Sequence, residues 1–290
     1  MLSISETLDV QADAAVHKAD GLRTPLRFTL SGMLAGAYIG IGVVLMVATA
    51  GPLLAGDTGF GKLVAGLVFG VALTLVVFAG GDLATSAMMV LPQGALMRAI
   101  NPWRAVATLL ATLATNLLGA LVFAALIVVS GVLHSNAAAG DMVQSMLSAK
   151  AHESPAELLV RGILCNLLVC LAIWMCARVH SEAAKILLIF AAILAFISSG
   201  FEHVVANMTT YGIGLFGGYA DTTWILFASN LWWVGLGNLI GGGLFVGVAY
   251  WVIGGSPRSV GAGSAAPATA DSTADSQTRA VSDTKAPSID

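Results

Sequence analysis

The sequence predicts an all-α membrane protein of six transmembrane helices, arranged as an inverted repeat of three plus three, with the second and fifth helices broken. Three observations predict it. Hydrophobic residues make up 57% of the chain and charged residues only 10%, with a mean hydropathy of +0.88, so a water-soluble body would lack the polar surface to cover its core. Apolar segments recur at residues 28–55, 62–91, 105–133, 156–177, 183–216 and 223–254, each able to supply the roughly 20 residues that cross a bilayer. Short motifs also recur at matching spacing in the two halves.

The repeat rests on specific residues. Asn116-Leu117-Leu118-Gly119 followed by Phe123 in the third segment matches Asn238-Leu239-Ile240-Gly241 followed by Phe245 in the sixth. Gly80-Gly81-Asp82 matches Gly200-Phe201-Glu202, and Met88 and Met208 each follow six residues after the acid. A unit of three spans is odd, so its second copy must enter the membrane from the opposite face. The second and fifth segments are long for one straight helix, and the Gly-Gly-Asp and Ser-Ser-Gly interruptions fall near their middles. A break exposes backbone groups that lipid cannot satisfy, so it must face protein or a wet cavity. Its half-helix N-termini present N–H groups to whatever occupies that cavity.

The predicted organisation is an N-terminal arm over residues 1–24, a six-span domain over 25–255 (repeats about 25–135 and 155–255) and a disordered tail over 256–290. Leu8, Ala12 and Ala15 against Asp9, Asp13 and Asp20 suit either a helix on the membrane surface or a solvated, frayed arm. The tail is rich in Gly, Ser, Ala, Thr and Pro and cannot offset its ordering entropy by burial. An even number of spans puts both termini on one side of a lipid bilayer. That side carries Lys18, Arg23, Arg27, Arg98, Arg104, Arg178, Lys185 and Arg258, against Lys62, Lys150 and Arg161 opposite, so the termini are expected to be cytoplasmic. The early acidic residues and the lack of a basic start predict no cleaved secretion signal.

Several function classes drop out. A net charge of −3, with no basic run, gives no nucleic-acid partner. Cys165, Cys170 and Cys176 lack metal or disulfide spacing and read as packing residues; no metal and no cofactor is expected. Ser198, Ser199, Glu202 and His203 lie close in sequence, but neighbours on one segment do not give a serine a base and a separate orienting group, and HExxH is missing, so a hydrolase is not assembled. A purely structural role leaves the paired interruptions unexplained. His203 alone among five histidines falls inside a span, where ionisable groups mark pathways or relays. Asp82 and Glu202 suit either of two tasks, accepting hydrogen bonds from backbone freed at the breaks or transferring protons directly. The glycines of the first and sixth spans, spaced four apart, suit helix contact within a protomer or between protomers.

The stretches FEHVVANM (201–208), GGDLATSAMM (80–89), RGILCNLLVCLAIWM (161–175) and GNLIGGG (237–243) resemble the bacterial formate/nitrite transporter family over residues 25–255. The fourth segment and the ANMT after His203 look most like its nitrite channels. The resemblance implies a homopentamer of aquaporin-like protomers in the bacterial inner membrane, each protomer with its own pore for nitrite, or for formate, hydrosulfide or another small monobasic anion. It implies a central histidine at His203, a loop threonine at Thr85, pore asparagines at Asn166 and Asn238, a loop-capping glutamate at Glu202 and an outer-vestibule lysine at Lys150. It also implies hydrophobic constrictions at Phe69 and Phe196 toward the outside and at Leu73, Leu83 and Val169 toward the inside. Ala84 stands where the family usually has phenylalanine, which predicts a wider or differently closed inner constriction. The expected mechanism draws the anion in with Lys150 and the half-helix dipoles, orients it with Thr85, Asn166 and Asn238, and supplies a proton from His203 or a water it holds.

Overall fold

The structure, a computed structural model, describes residues 1–255; the tail expected to be disordered lies outside the described residues. All regular elements among the described residues are helical. They are α1 (Ile4–Gly21), α2 (Pro25–Ala55), α3 (Gly61–Leu75), α4 (Ala84–Leu96), α5 (Pro102–Ser130), α6 (Val132–Ser135), α7 (Ala137–His152), α8 (Pro155–Arg178), α9 (Glu182–Ser198), α10 (Val204–Gly217), α11 (Trp224–Leu239) and α12 (Ala249–Gly254). α3 continues through a π-helical turn, Val76–Gly80, and α11 joins α12 through another, Ile240–Val248.

Local chemistry sets the helix ends. Proline occupies the first turn of α2, α5 and α8, where its missing N–H is not needed. Ser3 with Glu6 and Ser154 with Glu157 form reciprocal capping boxes at α1 and α8, each satisfying two backbone donors that would otherwise be orphaned. Asn101, Ser181 and Thr223 cap α5, α9 and α11.

Five helical stretches are long and apolar enough to cross a membrane: Pro25–Ala55, Gly61–Gly80, Pro102–Ser130, Pro155–Arg178 and Trp224–Gly254. The remaining apolar segment divides into α9, of 17 residues, and α10, of 14, each shorter than the roughly 20 residues of a full crossing. The chain is thus a multi-pass helical membrane protein in which one apolar segment is carried by two short helices.

α2 packs on α3 and α5, α8 packs on α9 and α11, and α3 meets α9. The glycine stripes make these contacts close and lie within the protomer. A Cβ on Gly119 would sit 2.0 Å from the Met33 carbonyl oxygen, and one on Gly237 would sit 2.2 Å from that of Leu159. The three cysteines are buried and free.

The N-terminal segment is neither frayed nor merely laid on a surface. Leu8, Ala12, Ala15 and Ala19 are fully buried where α1 packs on α4 and α12. Lys18 Nζ donates to Asp82 Oδ1 at 2.8 Å, Arg104 donates to Asp20 at 2.6 Å, and the Arg178 guanidinium donates to the Leu2 carbonyl. The alternating pattern of residues 8–20 reflects this docking, with the small apolar face turned to the body.

Candidate functional site

Two interruptions build the site. After the turn ending at Gly80 the chain runs extended through Gly81 and Leu83 before α4 begins at Ala84. After α9 it runs through Ser199–Glu202 before α10 begins at Val204. Each opens on a glycine in the left-handed region, Gly80 at φ 87° and Gly200 at φ 73°, a conformation that costs residues with a Cβ about 1–2 kcal/mol.

Freed backbone groups at both places are taken up by one asparagine each, in matching fashion. Asn116 Nδ2 donates to the carbonyls of Gly32 (2.9 Å) and Asp82 (2.7 Å), and its Oδ1 accepts from the Ala84 N–H (2.8 Å). Asn238 Nδ2 donates to the carbonyls of Gly162 (2.8 Å) and Glu202 (2.9 Å), and its Oδ1 accepts from the Val204 N–H (2.9 Å). These are the asparagines of the NLLG and NLIG motifs.

Of the two tasks that Asp82 and Glu202 suit by sequence, their geometry corrects the first, accepting the freed N–H groups. Asp82 accepts from Lys18 and from Ser31 Oγ (2.9 Å), while Glu202 accepts from Lys150 Nζ (2.5 Å) and Asn207 Nδ2 (2.6 Å). A neutral amide offers both donor and acceptor, which two carbonyls and an N–H require together; a carboxylate would repel the carbonyls.

His203 closes the second interruption. As N-cap of α10 its Nδ1 accepts from the Ala206 N–H at 3.2 Å, and its Nε2 lies 3.1 Å from Thr85 Oγ1, the second residue of α4. An Nδ1 that accepts leaves the ring proton on Nε2, so Nε2–H donates to Thr85 and the threonine hydroxyl proton is free to point elsewhere. Asn166 Nδ2 donates to the carbonyls of Thr85 (3.1 Å) and Asn238 (2.7 Å), tying α8 to both halves.

Two cavities meet at the imidazole. A vestibule of about 280 Å³ is lined by Lys62, Lys150, Glu153, Arg161 and Glu202 at its polar side, and by Phe69, Phe196 and His203. The same Phe69, Phe196 and His203 bound a chamber of about 10 Å³, whose other walls include Leu73, Leu83 and Val169. That volume is about one probe sphere, room for a single water. Phe69 meets Phe196 edge-on with centroids 5.9 Å apart, and Phe196 stacks over His203 at 6.1 Å. Ala84 is buried at the start of α4 with its N–H on Asn116 and is not among the chamber walls. Asn166 and Asn238 face neither cavity, their amides being used on backbone.

Lys150 lies in the vestibule wall, 8% exposed, and is ion-paired to an equally buried Glu202. Asn207 continues the chain by donating to Asn230 Oδ1 at 2.8 Å. Ser198 donates to the Lys62 carbonyl rather than to an imidazole, so it does not pair with His203. Sequence reasoning singles out Asn207 within the FEHVVANM stretch but gives no site role to Asn116, Glu153, Asn230 and the partners Lys18 and Ser31. Of the residues given no role, Asn116 carries a sequence signal in its match to Asn238.

The fold and this arrangement define a class: a helical, multi-pass membrane protein in which buried polar groups converge on one imidazole between two cavities. Residues 5–252 match the formate/nitrite transporter family. The chain is 42% identical over 241 residues to the nitrite transporter NirC of Salmonella typhimurium, covering 83% of this chain and 88% of that protein. It is 34% identical over 266 residues to the formate channel FocA of Escherichia coli, covering 84% and 91%. A solved FNT family ion channel superposes with a TM-score of 0.79 at 37% identity, covering 86% of this chain and 98% of that one. A solved pentameric formate channel with formate bound superposes with a TM-score of 0.69 at 28% identity, covering 80% and 98%. The chain belongs to the formate/nitrite transporter family, and these relatives are transporters and channels, not enzymes.

Proposed function

We propose that the protein is a nitrite channel or transporter of the bacterial inner membrane. In this reading residues 25–255 cross the bilayer six times as an inverted, aquaporin-like repeat of about 25–135 and 155–255, the second and fifth crossings being interrupted at Gly81–Leu83 and Ser199–Glu202. Both termini face the cytoplasm and the assembly is a homopentamer with one pore per protomer. The observation that carries the reading is a water-sized chamber, walled by apolar side chains and one imidazole, opening beside a vestibule lined by three cations. The NirC relatives favour nitrite as cargo.

Charge energetics explain the design. A bare anion costs on the order of 20 kcal/mol to place in a medium of low dielectric. Protonating nitrite near neutral pH costs about 5 kcal/mol, since its acid ionises roughly 3–4 units lower at about 1.4 kcal/mol per unit. Crossing the chamber as the neutral acid is the cheaper route. Lys150 and the half-helix N-termini gather the anion, Phe69 and Phe196 form the outer constriction, and Leu73, Leu83 and Val169 form the inner one. Thr85, whose hydroxyl proton is released by the ring's Nε2–H, orients the cargo at the imidazole. Asn166 and Asn238 hold the interrupted backbone around it, and Glu202 joins Lys150 to Asn207 beside it. His203 delivers a proton only as imidazolium, which requires Nδ1 to give up the Ala206 N–H, a lost cap of about 1 kcal/mol. Proton transfer and local loosening of α10 are therefore one event.

His203→Ala and His203→Phe, reconstituted in liposomes, should lose proton-coupled nitrite uptake by at least an order of magnitude; unchanged uptake with unchanged pH dependence removes the histidine from the mechanism. A second cargo, formate, is favoured by the FocA relative and the formate-bound neighbour. Competition of formate, nitrite and hydrosulfide in one liposome preparation ranks them.

A further inference from the structure

The vestibule holds one carboxylate that the proposed pathway leaves without a task. Glu153, between α7 and α8, lines the cavity with Lys62, Lys150, Arg161 and Glu202. Its Oε1 accepts from Arg161 Nη1, while its Oε2 is buried and has no partner. The side chain is only 10% exposed. A buried carboxylate oxygen without a donor is destabilising, and it is not needed to neutralise Lys150, which Glu202 already pairs.

We propose that Glu153 is a specificity-determining residue of the vestibule: by holding or releasing a proton at Oε2 it sets how strongly the cations around it capture an incoming small anion. The inference rests on the channel reading. Ionised, Glu153 occupies Arg161 and competes with the anion for the cationic wall. Protonated by water from the outer compartment, it withdraws one negative charge from the vestibule wall and turns Oε2 from an acceptor into an O–H donor. No other bond is made or broken.

The groups that face Glu153 set the window. Lys150 reaches it from α7, Glu157 and Arg161 from α8, Glu202 from the chain before α10, the Tyr211 hydroxyl from α10 and Lys62 across the cavity from α3. Burial raises the Glu153 carboxyl above the ordinary glutamate range and the Glu202 charge raises it further, with Lys150 and Arg161 opposing. The folded protein therefore keeps this proton at a pH where free glutamate has lost it. Capture weakens as pH climbs through that raised value.

Initial rates of nitrite uptake into proteoliposomes, corrected with empty vesicles, give KM and maximal rate at external pH from about 5 to about 8. For the wild-type chain KM should rise about three- to five-fold across the range, the effect of one unit charge at roughly 6 Å through an effective dielectric of about 60, with a smaller change in maximal rate. Glu153→Gln should hold the low KM throughout. Arg161→Gln removes a cation that opposes protonation and should move the midpoint to higher pH, which tests the idea even where Glu153→Gln does not fold. A Glu153→Gln protein that elutes as wild type and keeps the wild-type KM profile overturns the proposal and leaves the channel reading intact; so does an unmoved midpoint in Arg161→Gln. Absence of nitrite and formate uptake by wild type overturns the channel reading and this proposal with it.

Discussion

Replacing Asn238 with leucine removes one side chain of similar volume and strands three backbone groups at once. The Gly162 and Glu202 carbonyls lose their donor and the Val204 N–H loses its acceptor, all in a position with no solvent exposure. A buried polar group left unmade costs about 1–3 kcal/mol. Three of them sum to about 3–9 kcal/mol, and relaxation toward residual water brings the expectation to about 3–6 kcal/mol. At roughly 2–4 °C per kcal/mol for a chain of this size, the purified protein should melt about 10–20 °C lower, followed by intrinsic tryptophan fluorescence in detergent. Asn238→Asp keeps the acceptor for Val204 but sets a charge against two carbonyl oxygens, and should fall at least as far. Were Asn238 instead a contact for the anion, both variants would melt like wild type and change only the uptake rate. That result, thermal stability within about 2 °C of wild type for Asn238→Leu, refutes the brace.

Lys150→Met leaves Glu202 buried without its cation and should destabilise by about 3–5 kcal/mol, with Glu202→Gln in the same chain recovering most of it; a single variant as stable as wild type in the same melting assay would show the pair to be solvated. Gly119→Ala should lower the melting temperature, because its Cβ would meet the Met33 carbonyl oxygen at 2.0 Å and must push α2 from α5; unchanged stability and oligomer elution would refute this close approach. Hydrogen bonding to Arg104 depresses the Asp20 carboxyl below its usual range. Its contribution to docking α1 is therefore present above the unfolded aspartate value and lost as pH falls through the lower folded value. Hydrogen exchange of residues 4–21 should accelerate over that acidic interval in wild type, and Asp20→Asn should exchange fast at all pH values; equal protection in both refutes the tether.

The sequence makes legible whatever lipid enforces. Apolar stretches near 20 residues are read directly, because no other solvent tolerates them, and the ends of α3 and α9 are legible at Gly80 and Gly200 because each sits beside polar residues in an apolar segment. His203 stands out for the same reason. What sequence does not declare is which polar group meets which. Asn116 lies 32 positions from Ala84 and Lys18 lies 64 from Asp82, and nothing local marks either pair. The carboxylates nearest the interruptions in sequence are the obvious candidates for capping them, yet the mixed donor and acceptor pattern there suits an amide. Residues 1–24 read ambiguously since small alanines bury as well as leucines when the facing surface is close, a fact visible only with α4 and α12 in place.

The chamber between the phenylalanines and Leu73 has a consequence for solutes that never interact with the imidazole. Its about 10 Å³ has room for one water-sized occupant and no accompanying hydration shell. In the channel reading proposed above, any solute wider than this must part the Phe69–Phe196 pair to pass, and a branched carboxylate would have to part it furthest.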